Sequence, residues 1–113
     1  MISFTQTAAF CAVAHPFRHR DYITDPDTEP DLRYFDAIEA FNQENRPEDN
    51  DHALRFAAEN GFPITAGGDV HNKVKFGLSG LAFNERLYTE ENFIKHLKAG
   101  NYRLIENGII IEK

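Results

Sequence analysis

The sequence predicts an α/β fold built on parallel strands, and three observations predict it. An apolar run, Ala9–Ala14, stops at His15-Pro16, as a buried strand does. A strand pattern, a helix pattern and a second strand pattern then succeed one another between Asp36 and Gly68. That succession implies a right-handed βαβ unit with parallel strands. Finally, "YRLIENGIIIEK" reads as a hairpin, with Asn107-Gly108 as a type I′ turn pair between two apolar runs.

The elements follow in order. Pro16 ends the first strand, because it bars a helix and disfavours the α region for His15. Residues Arg18–Pro30 hold prolines and aspartates and read as a long loop, and Pro30–Phe35 reads as one or two helical turns. "DAIEAFN", Asp36–Asn42, alternates and reads as the second strand. Asn45–Asp51 is a polar entry to a helix over Asn50–Asn60, where Ala53, Leu54, Phe56, Ala57 and Ala58 recur at helical spacing. Asn60-Gly61 stops it, with Pro63 just beyond. "FPITAGG" is the third strand, ending at the Gly67-Gly68 bend, and Gly80–Phe83 is a further short strand. Thr89 is the N-cap of a second helix, with Glu90 and Glu91 placed for the helix dipole and Gly100 at its end.

The chain has 113 residues, the size of one domain, and with 42% hydrophobic residues and ten Phe it can build a core. Its net charge is −6, with acidic residues gathered in Asp21–Asp36 and Glu44–Asp51. No stretch of clustered Lys and Arg opposes them, so nucleic acid is a poor match. No segment reaches the roughly 20 apolar residues of a membrane span. The single cysteine, Cys11, lies among apolar neighbours, which predicts a buried, inert thiol and a cytoplasmic, reducing setting.

Four groups of residues could carry chemistry. In an extended segment Asp69 and His71 of "AGGDVHNK" point to one side. A carboxylate oxygen and an imidazole nitrogen suit Zn, Mn or Fe. Gly67 and Gly68 permit close approach of backbone to a ligand, and parallel α/β folds place sites at such strand ends. Alone, the pair reads equally as a capping Asp and a surface His. His15, at the end of another parallel strand, reaches the same edge, and with it a shared polar site and an ordinary loop stand level. Arg18 and His19 are candidates for a substrate phosphate, Arg18 through its planar fork, and Arg18 reads otherwise as the partner of Asp21 in a salt bridge. Glu39 and Asn42, at the end of the second strand, are candidates to support the ligands. His52 and His96 read as surface residues on helices. No P-loop, serine elbow or Rossmann glycine pattern is present.

"AVAHPFR", "IEAFN" and "GFPITAGGDVH", in that order, resemble the last half of a PHP domain, of the polymerase and histidinol phosphatase superfamily of metal-dependent phosphoesterases. "FGLSGLAF" and "TEENFIKHLKAGNYRL" look like its C-terminal continuation. The resemblance implies part of a distorted (β/α) barrel and a cluster of divalent metals (Zn, Mn or Fe) at the strand ends. It implies His15, Asp69 and His71 as metal ligands, Arg18 as a group facing substrate phosphate, and a small phosphorylated molecule as substrate. The family's opening His-x-His strand has no counterpart here. The expectation is therefore a truncated single domain that alone binds metal weakly and hydrolyses little, and whose open half is covered by a homo-oligomer or by a partner chain. The alternatives are a non-catalytic remnant serving binding or assembly, and a small metal-binding protein whose site is rebuilt across a dimer.

Overall fold

The computed structural model describes residues 9–20, 25, 27–69 and 78–112. Strand β1 is Ala12–Val13, β2 is Ala37–Asn42 and β3 is Ile64–Gly67; they form one parallel sheet in the order β1-β2-β3. Helix α1, Pro47–Asn60, connects β2 to β3. Strands β4 (Gly80–Ala82), β5 (Arg103–Glu106) and β6 (Ile109–Ile111) form a second, antiparallel sheet, and helix α2, Glu90–Ala99, lies between β4 and β5 in the chain. The chain is thus α/β, with the predicted β2-α1-β3 unit and the C-terminal hairpin both present.

Local chemistry accounts for the boundaries. Helix α1 starts at Pro47, earlier than the apolar spacing suggests, because proline suits the first helical position, where its missing N–H is not needed. Gly61 ends the helix at φ 67, a left-handed position that glycine adopts without strain. Thr89 Oγ1 accepts the Asn92 N–H at 3.1 Å and opens α2, and Gly100 at φ 72 closes it. Asn107 (φ 51) and Gly108 (φ 80) both take the left-handed conformation that a type I′ turn demands. The expected turns over Pro30–Phe35 reduce to one, Leu32–Tyr34.

Two expectations are corrected. Strand β1 ends at Val13 rather than His15, because His15 turns to φ 28 and its carbonyl accepts the Arg18 N–H at 3.3 Å. Asp69 is not extended either; it sits at φ 46, a region that Asp tolerates better than most residues. The alternation that would place residues 69 and 71 on one side therefore does not begin at Asp69. His71 itself lies outside the described residues.

The core has two centres. Val13, Phe17, Ile38, Ala53, Phe56 and Ala57 join α1 to the parallel sheet, and Ala66, Leu97, Tyr102 and Leu104 join α2 to both sheets. Ile64 packs against both. The Tyr102 hydroxyl donates to the Ile64 carbonyl at 2.9 Å, so the two centres are linked by a part-buried hydrogen bond, and burial raises the Tyr102 pKa.

Candidate functional site

Parallel strands end on the same side, so the segments after Val13, Asn42 and Gly67 meet at one edge of the first sheet. A register shift between Glu39 and Phe41 in β2, against β3, marks a bulge just before that edge. Such bulges re-aim side chains. Glu39 Oε1 accepts the His15 backbone N–H at 2.9 Å and the Asn42 Nδ2 at 3.0 Å. Gly67 makes room for this, since a Cβ there would collide with Glu39 Oε2.

Arg18 is only 5% exposed. Its Nη1 donates to Asp69 Oδ2 at 2.5 Å and its Nε to Asn45 Oδ1 at 2.6 Å. Its Nη2 is buried with no partner among the described residues. Asn45 in turn donates to Asn50 Oδ1 at 3.1 Å, and Asn50 exchanges hydrogen bonds with the backbone of Asn42. A buried guanidinium must be paired, and Asp69 supplies the counter-charge.

A second cluster adjoins the first along the chain. Asp49, in the first turn of α1, is 2% exposed. Its Oδ2 accepts the His19 backbone N–H at 3.0 Å, its Oδ1 lies 2.5 Å from His19 Nδ1, and Arg46 Nη2 donates to Oδ1 at 2.9 Å. Burial pushes the Asp49 carboxyl up, but hydrogen bonds from Arg46 and from the His19 amide and ring outweigh it, and the net shift is down.

The structure therefore brings His15, Glu39, Asn42, Arg18 and Asp69 to one edge, with His19 following Arg18. Arg18 is paired with Asp69, the residue expected to hold metal, and Glu39 accepts from both Asn42 and the His15 backbone. Two expectations for other residues change. His52 is half-buried, stacked on Phe17 with ring centroids 3.7 Å apart, and His96 is half-buried with its Nε2 2.7 Å from Glu85 Oε1. Cys11 is half-buried rather than buried. Asn45, Arg46, Asp49 and Asn50 were not expected at the site. The signal for them is Pro47, which moves the helix start back and puts Asp49 in its first turn.

Among the described residues no group of three or more His, Cys, Asp and Glu could hold an ion. Asp69 Oδ2 accepts from Arg18 and Glu39 Oε1 from the His15 amide, and His71, the third expected ligand, lies outside the described residues. A cleft of about 610 Å³ lies elsewhere, lined by Asn84, Glu85, His96, Asn101, Tyr102 and Arg103 among others. None of the sheet-edge residues lines it. The edge is the better candidate, because it gathers a buried cation and carboxylates where parallel α/β sheets place their ligands.

Residues 47–102 match the model of a family described as PHP-associated. The match covers α1, β3, β4 and α2, and includes Asp49 and Asp69 but not His15, Arg18 or Glu39. No curated protein and no solved structure matches the chain. Among the described residues no helix is long and apolar enough to cross a membrane.

Proposed function

We propose, from the premise that residues 47–102 of this chain are a PHP-associated part, that the chain is the C-terminal portion of a PHP-type metal-dependent phosphoesterase acting on a small phosphorylated substrate. Its parallel sheet is read as one arc of the distorted barrel. The observation that carries the reading is Arg18: a guanidinium at the C-terminal edge of a parallel sheet, 5% exposed, with its Nη2 unpartnered among the described residues. A planar fork of donors matches the spacing of phosphate oxygens. Asn45 and Asp69 fix that fork in place, so binding an anion there costs little side-chain entropy.

His15, Asp69 and His71 are the residues that a Zn, Mn or Fe ion would use, together with ligands from outside the described residues, including those a second copy or a partner chain would bring. A cytoplasmic setting belongs to the same reading and rests on the lone Cys11. Two measurements test it: metal content by elemental analysis on protein purified without chelator, and phosphate affinity from ³¹P line broadening. Expected are metal above background that falls in Asp69→Ala, and phosphate binding weakened about tenfold in Arg18→Gln, the loss of roughly one charge-assisted hydrogen bond. Wild-type protein without metal and without phosphate affinity would sink the proposal.

A second reading is favoured by one observation. Asp69 and Glu39 are both engaged by protein donors, as in a remnant kept for binding or assembly. Phosphate binding without metal or turnover is the outcome that selects it.

A further inference from the structure

We propose that His19 is a proton-transfer residue and that Asp49 is the residue that positions it. Asp49 is buried and grips His19 twice, at the backbone N–H and at Nδ1. Two attachments to one carboxylate fix both the segment and the rotation of the imidazole. A carboxylate accepts only, so the 2.5 Å contact requires a proton on Nδ1. The neutral ring then carries its lone pair on Nε2.

The surroundings of Nε2 suit a group that gains and loses a proton. The ring is 33% exposed, and on that side, among the described residues, Asp27 Oδ1 lies 3.5 Å away and is itself 65% exposed. That distance is beyond an ordinary hydrogen bond, so Nε2 is not committed. The ring thus faces Asp49 at Nδ1 and Asp27 at Nε2. His52 Nδ1 faces the same Asp27 oxygen at 3.9 Å and is held by stacking on Phe17. Arg46 touches Asp49 from outside. A histidine serving only as a clamp would need the Asp49 contacts but not an open Nε2.

His19 is also well located. It follows Arg18 in the chain, and Asp49 precedes Asn50, which with Asn45 holds Arg18. In phosphoester hydrolysis, Nε2 takes a proton from water as the water oxygen bonds to phosphorus. The bond from phosphorus to the ester oxygen breaks, and the departing alkoxide takes the proton back from Nε2. Phosphate and an alcohol leave, and His19 ends neutral. This use of the proton rests on the phosphoester reading; the tautomer does not.

The test is ¹⁵N NMR of the imidazoles in the full chain near pH 8.5, about two units above an ordinary imidazole pKa of about 6.5. His19 should show a protonated Nδ1 and an unprotonated Nε2. In Asp49→Asn the amide oxygen must serve the fixed His19 N–H, which turns the NH₂ toward Nδ1. The tautomer should invert, as it does when an Asp is changed to Asn in the serine-protease triad. Arg46→Gln removes the other partner of Asp49 and should leave the tautomer unchanged. In parallel, His19→Gln should lower kcat for p-nitrophenyl phosphate by about 10²–10⁴ with KM little changed, the usual share of a general base. A wild-type Nε2–H tautomer overturns the inference whatever the chain hydrolyses. Turnover indifferent to His19→Gln overturns the proton-transfer role while leaving the phosphoester reading intact. No turnover in the wild type, with the Nδ1–H tautomer present, overturns the role through the failure of that reading.

Discussion

Asp49 holds a charge at 2% exposure, and its carboxyl titrates below the usual range because Arg46 and His19 donate more than burial takes away. A depressed folded-state pKa contributes stability above the unfolded value, about 3.9 for Asp, and that contribution is lost as pH falls through the folded value. Urea unfolding should therefore show Asp49→Ala less stable than wild type by about 2 kcal/mol at pH 7, the loss of the charge-assisted hydrogen bonds that the buried carboxylate accepts. Below about pH 4 the difference should shrink as the wild-type carboxyl protonates. A gap that stays constant down to pH 2 would mean that the charge of Asp49 contributes nothing. Gly67 supports a second prediction. A methyl group there displaces Glu39 from the His15 amide, so Gly67→Ala should expose the His15 N–H to faster hydrogen exchange. The strand itself should persist, because the atom that must move is the tip of a flexible side chain.

Helix α2 depends on its two ends, since only Leu97 along it is buried. Thr89→Ala removes the cap to Asn92 and should cost about 1 kcal/mol, read from thermal unfolding. These ends were legible in the sequence because a cap is a local arrangement: Thr89, Gly100 and Asn107-Gly108 each declare their geometry within a few residues. The β2-α1-β3 unit was legible for the same reason, from periodicity and a glycine stop. The contacts that assemble the site were not. Arg18 meets Asp69 across 51 positions and His19 meets Asp49 across 30, and no local pattern encodes which partner a cation takes. Sequence spacing offered Asp21 for Arg18, whereas the fold supplies Asp69. The conformations of His15 and Asp69 were hidden as well. Positive φ at a non-glycine residue is imposed by the surrounding contacts and is not announced by the residue type.

Strand β6 lies at the margin of its sheet, and its Ile109, Ile110 and Ile111 are 65%, 51% and 37% exposed. An apolar strand with an open hydrogen-bonding edge is where a further strand can be added. This bears on the proposed homo-oligomer. A twofold pairing of β6 with β6 of a second copy would cover the isoleucines, but each copy carries a net charge of −6 and repels the other. Association should therefore strengthen from low salt to about 0.15 M, where the screening length falls to about 8 Å. Sedimentation velocity across a range of protein concentrations should show a monomer–dimer equilibrium that shifts toward dimer with salt. Ile110→Asp should move it back to monomer, because it removes apolar surface from the pairing edge and adds a further negative charge to each copy. If the wild type stays monomeric at every concentration and salt, self-association does not cover this edge.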